Sequence, residues 1–266
     1  MENYSLSGAF MKNKTILLVE DDRSISLTET KQLQKYGYLV IQAFSGQMAV
    51  DLMFGGQKID LILMGIDLGS NMMDGTEAAE IILKSHDLPI VFLSSHTEQE
   101  IVEKTERITS YGYVVKSSHI TVLDASLKMA FRLFDAHKKL QESEERYKQI
   151  FNNTSDCIFI LDVTPEQSCT IAALNPPEEK LVGRLEDMQD KDIRYCVTPE
   201  LYEHIKHQYD QCIENRAVLS YEETVYGEHF YTQLIPLMDK KGNIYRIIGI
   251  ARNVTEIKKL TMQLSA

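Results

Sequence analysis

Three consecutive acidic residues, Glu20-Asp21-Asp22, follow the apolar run TILLV (15–19), and further carboxylates stand at Asp67 and Asp74. Carboxylates are the hard oxygen donors that Mg²⁺ selects while keeping several of its waters, so a weak Mg²⁺ pocket that uses Asp21 and Asp22 is the first chemistry suggested. The same two carboxylates also suit the start of a helix, where the macrodipole favours negative charge. Two more polar residues close apolar runs: Ser94 ends PIVFLS (89–94) and Lys116 follows GYVV (112–115). His86, His96 and His119 have no partner at metal-binding spacing and read as surface residues. Cys157, Cys169, Cys196 and Cys212 are widely spaced without a C-x-x-C pattern, as expected of free thiols in a reducing cytosol.

The elements that must position these groups alternate. Apolar runs at 15–19, 38–43, 59–64, 89–94 and 112–115 read as strands. Amphipathic segments at 24–36, after Gly46, at 75–84, at 97–109 and from about Thr121 read as helices between them. Near-continuous apolar strands separated by helices imply a parallel sheet covered on both faces. The expected fold is α/β, a doubly wound five-stranded parallel sheet with its crevice at the carboxyl ends of the strands. Glu20, Asp21, Asp22, Ser94 and Lys116 would all meet there.

From Val122 to Phe151 the chain has neither Pro nor Gly, and Leu123, Leu127, Ala130, Phe134 and Leu140 recur at helical spacing. The last helix is therefore expected to run on through the charged stretch KKLQESEERYKQ. Leu127, Phe134 and Leu140 could form part of an apolar seam in a parallel homodimer. The remainder changes character. Runs at 156–163 and 169–174 read as strands, 199–214 as a helix, and three further runs as an antiparallel meander, so an α+β domain with an antiparallel sheet is expected to follow.

Length and composition suit two globular domains: 266 residues, 44% hydrophobic and 25% charged. The formal net charge of −11 argues against a nucleic-acid partner or an anionic membrane surface. MENYSLSGAFMKNK lacks a continuous apolar core of the kind that directs secretion, and no run approaches a bilayer span, so a cytoplasmic location without membrane contact is expected.

Over residues 14 to about 136, with Glu20-Asp21-Asp22, Asp74-Gly75, Ser94 and Lys116 in order, the chain resembles the receiver domain of two-component response regulators. The resemblance implies that an aspartate at the end of the third strand takes a phosphoryl group while the metal neutralises developing charge. It makes Ser94 the hydroxyl that hydrogen-bonds the phosphoryl oxygen and Lys116 the ammonium that pairs with it. Tyr113 becomes the aromatic switch residue, and the Asp67 backbone carbonyl completes the metal set with Asp21 and Asp22. Matching Leu63-Met64-Gly65-Ile66-Asp67 through Asp67 and Asp74-Gly75 puts Gly65 at the phosphoacceptor position. Glycine has nothing to phosphorylate. The alternative acceptor is Asp67, two residues further on and beyond the strand end. Ser117 stands where such receivers usually carry proline, which loosens the loop that positions Lys116.

From Glu144 to about Leu260 the chain resembles a PAS domain, through SEERYKQIFNNTSDCIFILD, Asn175-Pro176 followed by EEKLVG, and GNIYRIIGIARNVTEIKKL. PAS domains bind small ligands, haem or flavin, or act as dimerising relays. The flavin-adduct signature is absent, which leaves Cys157 and Cys169 as core thiols. His204, on PELYEHIKHQYDQCIE, falls near the proximal histidine of haem-binding relatives, with His207 as the other candidate. The expected organisation is a tail (1–12), a receiver (13–136), a linker helix (137–150), a PAS domain (144–260) and the start of an exit helix (255–266). The expected role is a noncatalytic signalling protein with a pseudo-receiver, working with a histidine kinase. The rival is a piece of a hybrid sensor histidine kinase, although the chain as given carries no kinase core.

Overall fold

The computed structural model describes residues 13–69, 73–95, 108 and 111–264. The tail 1–12, His96 and the helix expected over 97–109, Ile108 apart, lie outside the described residues. The chain divides into two units, 1–142 and 143–266.

In the first unit, β1 (Thr15–Val19), α1 (Arg23–Lys35), β2 (Leu39–Ala43), α2 (Gly46–Phe54), β3 (Leu61–Gly65), α3 (Gly75–Leu83), β4 (Ile90–Ser94) and β5 (Tyr113–Val115) follow one another, and α4 (Ile120–Asn153) closes the unit. The strands form one sheet in the order β2-β1-β3-β4-β5. Every pairing is parallel. β3 and β4 are buried throughout, which explains why their sequences run apolar without alternation. Leu17, Val19, Met64 and Phe92 pack on one face of the sheet, and Leu18, Leu63, Val91 and Leu127 on the other. Leu127 is 0% exposed in that second cluster, so it covers its own sheet and is not available to a dimer seam. Phe134 is half-buried, edge-on to Tyr111. The expectation that Leu127 joins a seam is corrected: helical spacing cannot tell a residue covered by the chain's own sheet from one left for a partner.

In the second unit, β6 (Cys157–Val163) and β7 (Cys169–Leu174) lead into α5 (Pro176–Val182), the short α6 (Leu185–Met188) and α7 (Pro199–Asn215). The meander β8 (Leu219–Val225), β9 (Glu228–Met238) and β10 (Ile244–Asn253) comes next, followed by α8 (Thr255–Leu264). The sheet order is β7-β6-β10-β9-β8, and all pairings are antiparallel. Asn175 is 0% exposed and uses its amide twice over. Its Oδ1 accepts from the backbone amides of Ile158 (2.8 Å) and Glu178 (3.2 Å). Its Nδ2 donates to the carbonyls of Asp156 (2.9 Å) and Phe151 (3.2 Å). One side chain thus caps α5 and ties the end of α4 to the start of β6. Proline at the first turn of α5 suits a position where the amide would be unpaired anyway. Among the described residues, no helix is long and apolar enough to cross a membrane.

Candidate functional site

The carboxyl ends of β3, β4 and β5 are laced together by backbone bonds. The Lys116 amide donates to the Ser94 carbonyl (2.8 Å), the Ile66 amide to the Leu93 carbonyl (3.0 Å), and the Gly75 amide to the Ile66 carbonyl (2.8 Å). Parallel strands that end level in this way bring residues far apart in sequence into one crevice. Gly65 is the last residue of β3 and is buried, while Asp67 lies two residues past the strand and is exposed. Ser94 is 1% exposed at the end of β4, and Tyr113 is half-buried at the start of β5.

The decisive contact is an ion pair. Lys116 Nζ lies 2.6 Å from Glu20 Oε2, with the Glu20 side chain 1% exposed and that of Lys116 19%. A Cβ added at Gly65 would stand 3.7 Å from the same Glu20 oxygen and 2.8 Å from the Val19 carbonyl. The space an acceptor side chain would need is therefore bordered by a carboxylate already neutralised by the lysine. A compact ammonium at this distance is strongly attracted and poorly screened.

The same arrangement bears on Mg²⁺. Asp22 is the N-cap of α1: its Oδ1 accepts from the Ser24 hydroxyl (2.5 Å) and from the amides of Ile25 (3.1 Å) and Ser24 (2.8 Å), and these bonds, the hydroxyl's foremost, hold its carboxyl below the usual carboxylate range. Asp21 is exposed, near Gly69 of the loop after β3. Glu20 is occupied by Lys116, and Gly65 offers no ligand. Among the described residues, no group of three or more His, Cys, Asp or Glu side chains converges. These residues do not fit a tight Mg²⁺ site, which wants a near-octahedral oxygen shell.

Sequence reasoning passed over Glu29. It lies on α1 over a groove that Lys116 also lines, and its Oε2 is buried without a hydrogen-bond partner. Burial, and secondarily the Glu20 charge, lift its carboxyl from 4.5 to about 7, while Lys116 partly offsets them. A carboxyl raised on folding stabilises the protein below its unfolded pKa, and that contribution is lost as pH rises through the folded value, here between about 4.5 and 7. Glu29→Gln should therefore be more stable than the natural protein at pH 8, by up to about 3 kcal/mol, and indistinguishable from it near pH 4. Urea unfolding of both proteins across that range checks this; a constant difference would contradict it.

In the second unit the structure does not bring His204 to a cofactor. The buried stripe of α7 is Ile205, Tyr209, Cys212 and Ile213. His204 is about half exposed, with its Nε2 3.5 Å from Glu223 Oε2. His207 is exposed and bonds Gln211 (3.1 Å). The cavity between α7 and the sheet measures about 60 Å³, and neither histidine lines it. Cofactor sites are typically hundreds of Å³, so these residues do not fit haem, and the His204 expectation is corrected. Two carboxylates that sequence reasoning also missed, Glu178 and Glu223, do line the cavity. Burial lifts the Glu178 carboxyl to about 7; a hydrogen bond with Cys157 opposes the rise and the Glu223 charge adds to it. Burial pushes the Cys157 thiol up to about 12, as befits an unreactive core thiol.

Comparison with known proteins agrees with the first unit's geometry. The model of the response regulator receiver domain matches residues 16–128. An uncharacterised transcriptional regulatory protein of Bacillus subtilis, YvcP, is 34% identical over 120 residues, 44% of this chain and 48% of that protein. The methanogenesis regulatory histidine kinase FilI of Methanothrix harundinacea is 25% identical over 273 residues, 95% of this chain and 29% of that protein. The solved N-terminal domain of a response regulator/sensory box/GGDEF protein from Carboxydothermus hydrogenoformans is 46% identical, across 47% of this chain and 98% of that one, with a TM-score of 0.44. The chain spans about half the length of the curated regulators it matches.

Proposed function

Residues 16–128 are a response regulator receiver domain, and from this premise we propose a two-component signalling protein whose receiver is read by protein contact and not by phosphoryl transfer. The observation that carries the reading is the Lys116–Glu20 ion pair at 2.6 Å beside Gly65. The lysine that would pair with a phosphoryl group has an internal carboxylate instead, and the strand end carries no nucleophile. Ser94 and Tyr113 keep the switch positions without an acceptor to report on. On this reading the receiver spans 13–136, and a helix over 137–150 leads to a PAS sensor over 144–260. The antiparallel sheet β7-β6-β10-β9-β8, with helices between β7 and β8, supports the PAS assignment. Partners would be a histidine kinase and a second copy of the chain, in the cytoplasm; the net charge of −11 speaks against nucleic acid.

The dimer would form along α4 where the chain's own sheets leave it open. Leu133, Leu140 and Tyr147 are exposed there at seven-residue spacing, with Ile150 beyond them. That is the period of a two-stranded coiled coil. Light scattering at tens of micromolar should give a dimer mass that does not change with Mg²⁺ and beryllofluoride, a phosphoryl mimic that forms on an aspartate carboxylate. A monomer mass, or a mass that shifts with the mimic, would count against the reading.

A second reading rests on the match to FilI across 95% of the chain. There the sequence would be the receiver and sensor segment of a longer histidine kinase, itself without catalysis. Incubation with ATP tests what the two readings share: neither expects labelling of this chain, and labelling would end the noncatalytic role common to both.

A further inference from the structure

The cavity of the second unit, about 60 Å³, has room for roughly four to six waters, or a ligand with about as many non-hydrogen atoms. Its walls are mostly apolar, with Phe159, Leu161 and Leu201 among them, and Tyr209 and Tyr221 also line it. Against that background stand Glu178, 7% exposed, and Glu223, whose side chain is also 7% exposed. No lysine or arginine lines the cavity.

Glu223 is half satisfied. Its Oε1 accepts a 2.7 Å hydrogen bond from Thr232 Oγ1 and the Tyr221 hydroxyl lies within hydrogen-bonding reach of the carboxylate, while Oε2 is buried and makes no hydrogen bond. The nearest charge partner, His204 Nε2, stands 3.5 Å away on a half-exposed side chain outside the cavity, and it is a cation only when protonated. A buried carboxylate with one oxygen left without a donor is unfavourable, and two carboxylates in one small cavity repel each other. Glu20 Oε2 likewise makes no hydrogen bond, but it has the Lys116 ammonium at 2.6 Å as a permanent charge partner.

We propose that this cavity binds a small organic cation, an alkylammonium of about four to six non-hydrogen atoms, with its charge at Glu178 and Glu223 and its alkyl part against the apolar wall. The inference rests on the reading of this unit as a ligand sensor and names the class of ligand.

Calorimetric titration of the full chain with n-butylammonium chloride tests it, with 1-butanol, sodium butyrate and sodium chloride as comparisons. Saturable binding of butylammonium is expected, at least tenfold tighter than of butanol or butyrate. Glu223→Gln and Glu178→Gln should each weaken it at least tenfold, while circular dichroism shows the fold retained. If one variant fails to fold, the other carries the comparison. Binding unchanged in a folded variant overturns the proposal. So does saturable binding of butanol or butyrate in preference to the cation, which would leave the sensor reading standing. Silence from all three organic probes removes both.

Discussion

Lys116→Met should destabilise the first unit by about 3 kcal/mol, at the lower end for breaking a buried ion pair because the lysine keeps some solvent. The loss comes mainly from what is left behind. Glu20, 1% exposed, would keep its charge without a counter-ion, beside a second buried carboxylate at Glu29. The double variant Glu20→Gln/Lys116→Met removes both charges and should recover most of the loss, since a neutral pair of similar size avoids the desolvation of either ion. Urea unfolding followed by circular dichroism measures both. A loss under about 1 kcal/mol for Lys116→Met, the value of an exposed pair, would mean the contact contributes little.

Gly75→Ala should be equally damaging for a steric reason. An added Cβ would fall 1.9 Å from the Gly65 carbonyl oxygen and 3.1 Å from the Ile66 Cα. Both obstacles are backbone, so relief requires α3 to withdraw from the end of β3 and break the Gly75–Ile66 hydrogen bond. About 3 kcal/mol is expected, the upper end for overpacking a close contact. Gly56→Ala is the comparison: nothing lies within 4 Å of its added Cβ, and only its φ of 79° resists, at about 1 kcal/mol. Equal losses at the two positions would show that the close approach at Gly75 is not the constraint.

Much of the first unit was legible because parallel strands covered on both faces must be apolar throughout. The runs TILLV and IDLILM did not need alternation to be read as strands, and the second proves to be Leu61–Gly65. The place of Asp67 beyond the third strand was legible, while Gly65, one residue past the run read as 59–64, proves to be the strand's last residue. The partner of Lys116 did not. Glu20 read as one acid of three, and only the level ends of β1 and β5, with the room left by Gly65, bring it to the lysine. In the second unit, strand alternation places Glu223 on the same side of β8 as Tyr221 and Val225, so its inward orientation could have been read. Glu178 carried no such signal, since an acid in the first turn of a helix is ordinary. His204 shows the reverse error. The stripe Ile205, Tyr209, Cys212 and Ile213 already fixes the inward face of α7, and residue 204 is off it.

The most direct test of a receiver without an acceptor is the intact mass of the natural protein after incubation with acetyl phosphate and Mg²⁺. The Lys116–Glu20 pair beside Gly65 leads us to expect an unchanged mass, the same as that of Asp67→Asn treated alike. A single phosphoryl adduct on the natural protein that disappears in Asp67→Asn would contradict the account and make Asp67 the acceptor.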